Sequence, residues 1–199
     1  MIVRGQPWGS PTFRTEQDLV VSNDIAIARS SPQDRMIVIS GDLSHSLGDP
    51  PVPLVGAACT EVMIDSMKIA LFIDDKPQVQ MRAASFVQVG NWLRGDLVLV
   101  TNAGFVKGRD IAPRSHPNDG FLEVMKLHAT MSPRQRLLAL RKSRTGTHIP
   151  HPLISTSRVT SLECVRSSSS TSLIVDRVKI QHWNRIVIEI QPDYWRLLV

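Results

Sequence analysis

Short apolar runs rich in β-branched residues, separated by turn signals, fill most of the chain after residue 53. Clear examples are EVMIDSMKIALFIDD (61–75), GDLVLVTNAGF (95–105), GFLEVMKLHA (120–129) and NRIVIEIQP (184–192). Runs of this kind bounded by Gly, Pro, Asn and Asp are typical of strands, and many short strands in succession favour a sandwich or barrel. The sequence therefore predicts a mainly β fold, a β-sandwich or partly closed barrel of about ten short strands.

Two segments of the β-rich part have a more specific pattern. SPRQRLLALRK (132–142) has Ser at a capping position, Pro at the first helical position and apolar residues at 137, 138 and 140, which predicts the one helix of this part. DRVKIQHWNRIVIEI (176–190) predicts a hairpin with its turn near Gln181–Asn184.

The first 53 residues have a different pattern. DLVVS (18–22) and RMIVIS (35–40) have the length of buried strands, and NDIAIARSSPQD (23–34) between them is typical of a short helix with Ser22 or Asn23 as its cap. Strand, helix and strand followed by Gly41-Asp42 is the order of a βαβ unit. The Pro-rich segment 48–53 is the candidate boundary, which divides the chain into a short α/β part (1–53) and a β-rich part (54–199).

Positive charge is concentrated between residues 107 and 146. The chain as a whole carries +5, but this segment holds nine Lys or Arg and three acids, so the remainder sums to −1. Such a segment suits an anionic lipid or membrane surface, phosphate or nucleic acid, and it is also compatible with an ordinary solvated face. No aromatic ladder is interleaved with it, which argues against nucleic acid. If it docks on lipid, reversing Arg134, Arg136 and Arg141 is expected to abolish the association.

Other features of the sequence bear on compartment and assembly. No apolar run reaches the length of a membrane span, and residues 1–13 lack the apolar stretch of a secretory signal. Cys59 and Cys164 lie far apart and indicate neither a disulfide framework nor a metal site. These features predict a cytoplasmic protein, which a basic surface would make membrane-peripheral. Exposed strand edges would favour a homodimer that covers them.

The order of several segments resembles the C-terminal domain of the diacylglycerol kinase and sphingosine kinase-like lipid kinases, which are relatives of NAD kinase. The resemblance is carried by LVLVTNAGFVKGRDIAPRSHPNDGFLEVMKL (97–127), THIPHPLISTSRVTSLEC (147–164), LIVDRV (173–178) and IEIQPDYWRLLV (188–199). It covers about residues 62–199 and implies a β-sandwich on the substrate side of a lipid kinase.

The resemblance also implies where ATP would bind. In these kinases an N-terminal α/β domain holds ATP with a Gly-Gly-Asp-Gly-Thr loop, and VISGDLSHSLG (38–48) stands in the equivalent place. Gly41 and Asp42 match the middle of that loop, Ser44 stands at the Thr, and Ser40 and Leu43 replace glycines. A Cβ at such a position restricts the close approach of backbone N–H groups to phosphate. The alternative is a turn at a strand end in which Asp42 caps the next segment.

The resemblance places the general base of phosphoryl transfer at Asp176. The family pattern Val-Asp-Gly-Glu reads Val-Asp-Arg-Val here, with Arg177 and Val178 in place of Gly and Glu. A neighbouring Arg is expected to lower the pKa of Asp176 and make it a poorer base. A carboxylate beside a hairpin, without a catalytic role, is the alternative.

A structural Mg²⁺ is implied at the Asn-Asp-Gly turn 118–120. The family pattern Asp-Asp-Gly suggests Asp119 as a side-chain ligand, with the carbonyls of His116 and Phe121 beside it. Oxygen ligands suit Mg²⁺, although Asn118 removes one charge from the site. A plain turn is equally compatible with these residues. The histidines His116, His148 and His151 could suggest zinc, but Pro150 and the missing acidic or Cys ligand argue against it.

Three functions are compatible with these observations. The first is a lipid-kinase-like protein with weak or no kinase activity alone, which binds lipid or protein through its β-sandwich. The second is an active ATP- and Mg²⁺-dependent kinase for a lipid hydroxyl, which uses a reduced nucleotide site or a nucleotide domain supplied by a partner chain. The third is a basic protein that binds phosphate or nucleic acid. The departures at both the phosphate loop and the base motif favour the first.

Overall fold

Two packed β-sheets form the body of the protein in a computed structural model that describes residues 7–74, 76–168 and 170–199. Within these residues the strands are β1 Ser10–Phe13, β2 Leu19–Val21, β3 Arg35–Val38, β4 Ala58–Ile73, β5 Lys76–Ala83, β6 Phe86–Gly90, β7 Leu97–Thr101, β8 Phe105–Val106, β9 Arg109–Asp110, β10 Leu122–Leu127, β11 Ile154–Val159, β12 Ser161–Val165, β13 Leu173–Val175, β14 Val178–Ile180 and β15 Arg185–Leu198. The helices are α1 Asp24–Arg29, α2 Asp42–Ser46 and α3 Pro133–Lys142, with a 3-10 turn at Ser143–Thr145. The prediction of a mainly β sandwich is confirmed.

The first sheet is built on the long antiparallel pair β4 and β15. Its order is β1-β4-β15-β3-β2. In addition, β5 pairs with the C-terminal half of β4, and β12 pairs with the N-terminal half of β15. The second sheet has the order β11-β10-β7-β6-β13-β14, and β8 and β9 form a separate hairpin. Side chains alternate along a strand, so every second residue of β4 (Met67, Ile69 and Leu71) faces the second sheet. Val87, Val100 and Val124 meet them from the other side of this core.

The short α/β part has the predicted order of elements. β2 and β3 are parallel, α1 connects them, and Asn23 caps α1 by accepting a hydrogen bond from the N–H of Ala26. β3 also pairs in parallel with the last residues of β15, so this part continues the first sheet. The hydrogen-bonded strands therefore bring the residues after β3 against the β-rich part, which positions the loop at Gly41 beside it.

The predicted hairpin over residues 176–190 is wrong. β14 pairs with β13 in the second sheet, whereas β15 lies in the first sheet. The turn lies at Asp176-Arg177, and both residues have positive φ, as in the two-residue turns that match strand twist. Arg in place of the usual Gly hides this turn in the sequence. Residues 181–184 instead carry the chain from one sheet to the other.

The predicted helix is confirmed as α3, with a capping box between Ser132 and Gln135 and Pro133 in the first turn. Its orientation differs from what the apolar positions suggest. Arg136 and Ala139 are buried against the second sheet, while Leu137 and Leu138 are exposed. Arg136 therefore cannot take part in a basic lipid-docking surface, which corrects the expectation that included it.

No helix in the described ranges combines the length and apolar character that crossing a membrane requires.

Candidate functional site

The loop that follows β3 is occupied by a carboxylate of the protein itself. Gly41 precedes α2 with a φ of 121°, and the side chain of Asp24 lies directly over this turn. Asp24 accepts hydrogen bonds from the N–H groups of Asp42, at 2.8 Å, and Leu43, at 3.1 Å. A phosphate-binding loop would offer such N–H groups to its ligand. Here Asp24 takes them, and burial raises the pKa of this carboxyl group.

Asp42 is also committed to internal contacts. Its carboxylate is 1% exposed and accepts hydrogen bonds from the N–H groups of Lys107 and Gly108, each at 2.8 Å. The guanidinium of Arg177 lies 3.3 Å from both of its oxygens. Asp42 thus joins α2 to the β8–β9 turn and to the β13–β14 turn. Ser44 is fully buried beside it. These contacts do not fit a preformed ATP site. They also differ from the alternative in which Asp42 caps the next segment, because α2 has no side-chain cap and the donors to Asp42 are Lys107 and Gly108.

Replacing Gly41 by Ala is expected to lower the free energy of unfolding by about 2 kcal/mol or more, because the backbone is left-handed and a Cβ would collide with a buried group. That Cβ would lie 2.8 Å from Cγ of Asp24. Urea denaturation checks the value. Gly48→Ala is the matched control, because Gly48 also has positive φ but an added Cβ meets open space. Equal losses in the two variants would contradict a specific contact with Asp24.

Asp176 lies at the same small cavity, of about 280 Å³, as Gly41 and Asp24. The structure therefore brings the predicted base close to the predicted phosphate loop. The Asp176 side chain is nearly buried and accepts four hydrogen bonds, from the N–H groups of Ala84, Ser85 and Phe86 and from the hydroxyl of Ser85. These donors fix the end of β13 to the start of β6 and leave little room for a substrate hydroxyl.

The expected effect of Arg177 on Asp176 is not observed. Burial raises the pKa of Asp176 to about 6, against the opposing effect of its hydrogen bonds. Arg177 instead faces Asp42 and is half exposed. The basicity of Asp176 would thus suit a proton acceptor near neutral pH, and what argues against that role is its burial and its full set of donors.

Asp119 lies in the turn that leads into β10. It forms an ion pair with Arg158 and accepts hydrogen bonds from the N–H groups of Phe121, at 3.0 Å, and His116, at 3.3 Å. The carbonyl of His116 in turn accepts from the N–H of Asp119. A cationic neighbour and internal hydrogen bonds therefore use the oxygens that a metal would need. The residues present do not fit a preformed Mg²⁺ site, and the assignment of the ion to Asp119 stays a prediction.

The turn at 118–120 is organised by a residue that the sequence analysis overlooked. Asp65, in the middle of β4, is fully buried and accepts from the N–H groups of Gly120, at 2.7 Å, and Asp193, at 2.9 Å. The Asn118 amide donates to Asp65, at 3.2 Å, and to Asp193, at 2.8 Å. Asn118 thus bridges two carboxylates, which a second aspartate could not do while ionised. The sequence feature that could have identified Asp65 is its charge, since it lies within the mostly apolar segment of β4.

The histidines do not come together as a zinc site. His148 is 4% exposed and burial lowers its pKa, as it does for His116. His116 packs edge-on against Trp8. Among the described residues no group of three or more His, Cys, Asp or Glu side chains could hold a metal ion. His116 therefore has a packing role in the loop where it occurs.

A cleft of about 870 Å³ lies on the outer face of the second sheet. Its floor is formed by β7, β10 and β11, and its walls by residues 111–114 and 146–152. The lining residues are Thr101, Ile111, Ala112, Pro113, Arg114, Glu123, Val124, Met125, Gly146, Ile149, Pro150, His151, Pro152, Ile154 and Thr156. Most of this lining is apolar, and Arg114, Glu123 and His151 supply a few polar groups. This combination is typical of sites for small apolar molecules with a polar end.

The cleft is polar where Glu123 lies. Burial raises the pKa of this carboxyl group, and the nearby Arg158, whose Nε lies 2.7 Å from Oε1 of Glu123, opposes the rise. Arg114, which is exposed in the wall formed by residues 111–114, also lowers the pKa of Glu123. Sequence analysis did not identify this cleft, because its lining comes from strands and loops that are distant in the sequence.

A family comparison matches the β-rich part. Residues 57–197 match the family described as the YegS C-terminal NAD kinase beta sandwich-like domain. No curated protein is similar enough in sequence to this chain to count as a match.

Solved structures share the fold. A diacylglycerol kinase from Bacillus anthracis aligns with a TM-score of 0.54 at 13% identity, covering 82% of this chain and 66% of that protein. A putative diacylglycerol kinase from the same organism aligns with a TM-score of 0.57 at 12% identity, covering 86% and 72%. Yeast NADH kinase, complexed with NADH, aligns with a TM-score of 0.53 at 8% identity, covering 92% and 60%. The chain thus spans about two thirds of the length of these proteins.

Proposed function

The chain belongs to the YegS C-terminal NAD kinase beta sandwich-like domain family, and from that premise we propose that it is a lipid-kinase-like module that binds a lipid alcohol of the diacylglycerol class and has little or no kinase activity alone. The observation that carries the proposal is the apolar cleft with its few polar groups. Acyl chains would pack on Ile111, Met125 and Ile154, and Arg114 and His151 would face the glycerol end.

The internal contacts of the three buried carboxylates support the second half of the proposal. Phosphoryl transfer needs groups that position the phosphates and a carboxylate that accepts the proton of the hydroxyl. Asp24 holds the N–H groups of the loop, Asp42 is bound to Lys107 and Gly108, and Asp176 is bound to the start of β6. Each of these contacts would have to break before ATP or a hydroxyl could take its place.

Calorimetric titration with dioctanoylglycerol is expected to show saturable binding that Thr156→Trp reduces at least 10-fold, because an indole would fill the cleft. Thr156 is exposed on β11 and lines the cleft opposite Met125. Ser157→Trp is the matched control, because the next residue of a strand points to the other face and Ser157 is also exposed. Equal weakening by both variants would contradict binding in the cleft.

Calorimetric titration also distinguishes a lipid-binding module from an active kinase. Titration with Mg²⁺-ATP is expected to give no binding heat, with or without dioctanoylglycerol. Saturable ATP binding, or ATP consumption that depends on dioctanoylglycerol, would contradict the proposal and support the active kinase. ATP consumption that appears only after adding a second polypeptide would support a nucleotide domain supplied by a partner.

A further inference from the structure

α3 presents two of its three leucines to solvent. Leu137 is 63% exposed and Leu138 is 53% exposed, while Arg136 and Ala139 are buried beneath them. Exposing two adjacent leucines on a surface helix forgoes the stabilisation that burial would give each of them. The exposure of Leu137 and Leu138 does not contribute to folding, so these two leucines call for another explanation.

Cations flank both leucines on the outer face of α3, which comprises Arg134, Leu137, Leu138, Arg141 and Lys142. Residues three or four apart are neighbours on a helix, so Leu137 and Leu138 each lie beside Arg134 and Arg141, and Leu138 also lies beside Lys142. All three cations are exposed. Arg134 stands in the first turn, where a positive charge is unfavourable to the helix dipole. Its position also suggests a role other than stabilising the helix.

Negative charge is absent from the neighbouring sequence. No Asp or Glu occurs between Glu123 and Glu163, a stretch that includes all of α3 and the segment leading to β11. The nearest acid in the adjoining loop, Asp96, accepts a hydrogen bond from the N–H of Ala129. The outer face of α3 is therefore complementary to an anionic surface.

The orientation of α3 is fixed from inside by Arg136. Its guanidinium donates to the carbonyls of Asn91 and Trp92 in the loop before β7, and to those of Met131 and His128 before the helix. This loop therefore lies against α3, and its Leu93 is 61% exposed. The exposed leucines are thus held on a rigid element next to a third exposed leucine.

We propose that the outer face of α3 docks on an anionic lipid bilayer, with Leu137 and Leu138 in the boundary between headgroups and acyl chains and the three cations on lipid phosphates. Helices with an apolar stripe bordered by Lys and Arg bind membranes in this way. The inference deepens the proposed function and rests on it, since a cleft for a lipid alcohol needs access to a bilayer. Gly146, which lines the cleft, follows α3 after the short 3-10 turn.

Flotation with vesicles of phosphatidylcholine containing about 30% phosphatidylglycerol tests the proposal. The full chain is expected to float with these vesicles, not with pure phosphatidylcholine, and to dissociate as NaCl rises from about 0.05 M to about 0.5 M. Replacing Arg134, Arg141 and Lys142 together by Ala is expected to weaken the association about 100-fold. Replacing Leu137 and Leu138 by Ser is expected to weaken it about 10-fold.

The matched control variants remove the same number of positive charges, or an exposed leucine, from parts of the protein outside α3. Arg29, Lys76 and Lys179 are exposed on other elements, and their joint replacement by Ala lowers the net charge equally. Leu54, which is 80% exposed, serves as the control for the leucines through Leu54→Ser. Both controls are expected to bind vesicles as the wild type does. Equal weakening by controls and α3 variants, or equal binding to neutral vesicles, would overturn the proposal.

Dioctanoylglycerol titration of the same variants separates this proposal from the proposed function. The α3 variants are expected to bind soluble dioctanoylglycerol normally, and Thr156→Trp is expected to bind vesicles normally. Loss of vesicle binding in the wild type, with dioctanoylglycerol binding intact, would overturn only the docking surface. A dimer in sedimentation that the Leu137 and Leu138 replacements dissociate would also overturn it, because a second copy would then cover α3.

Discussion

Arg136→Met is expected to lower the free energy of unfolding by about 4 kcal/mol, although it replaces a charged residue on a surface helix. The guanidinium of Arg136 is 1% exposed and donates only to backbone carbonyls. Those carbonyls belong to Asn91, Trp92, Gly95, His128 and Met131. Met fills a similar volume but donates nothing, so several buried acceptors lose their partner at about 1–3 kcal/mol each.

Urea denaturation followed by circular dichroism measures the loss. Arg134→Met is the matched control on the same helix, because Arg134 is exposed and its replacement should change stability by less than about 0.5 kcal/mol. Equal midpoints for the two variants would contradict the role of Arg136 as an internal anchor. The same reasoning shows why reversing Arg136 along with Arg134 and Arg141 would report unfolding rather than loss of lipid binding.

The strands and helices were largely predictable because their patterns are local. α1 and α3 carry their own caps in Asn23 and Ser132, and β2, β3, β4 and β15 are rich in apolar and β-branched residues. The hairpin at 176–177 was missed for an equally local reason. Its left-handed residues are Asp176 and Arg177 rather than Asn and Gly, so the expected turn signal is absent.

The contacts at the candidate site were not predictable, because they join residues far apart in the sequence. Asp24 and Asp42 are 18 residues apart, and Asp176 binds N–H groups about 90 residues earlier. A motif comparison names Gly41, Asp42 and Asp176, but it does not reveal which groups already occupy them. The burial of Arg136 instead of the leucines of α3 was also not predictable, because two of the carbonyls that accept from Arg136 belong to a separate loop.

The resemblance of the sequence to lipid kinases correctly indicated the family of the β-rich part. It was less informative about chemistry, because chemistry depends on whether the named side chains are free. Asp119 is preserved in the pattern, yet it faces Arg158. Asn118 departs from the pattern, yet it bridges Asp65 and Asp193. A residue that departs from the family pattern can therefore still stabilise the fold.

Asp176→Asn is expected to lower the free energy of unfolding at pH 7.5 by about 3 kcal/mol, because four donors point at the two carboxyl oxygens and an amide can accept only on its one oxygen. The amide nitrogen of the variant would face an N–H donor such as that of Ala84, which now lies 2.6 Å from the carboxylate. A general base at a substrate cavity would behave differently, since its isosteric amide would abolish activity with little loss of stability.

The pH dependence of that loss gives an independent check. The pKa of Asp176 in the folded protein is about 6, above the ordinary value of 3.8. Because the folded state binds the proton more tightly, the stability from this group is fully present below the unfolded pKa and is lost as the pH rises through 6. The stability gap between wild type and Asp176→Asn is therefore expected to widen by about 2 kcal/mol on going from pH 7.5 to pH 4.5.

Urea denaturation of both proteins at the two pH values measures this gap, with Asp119→Asn as the control. Asp119 faces Arg158 near the surface, and the loss of such a pair is expected to cost no more than about 1 kcal/mol at pH 7.5. A gap for Asp176→Asn that narrows at low pH would mean that its four donors hold the carboxylate ionised. If the variant were as stable as the wild type at both pH values, Asp176 would have no structural role and would again be a candidate general base.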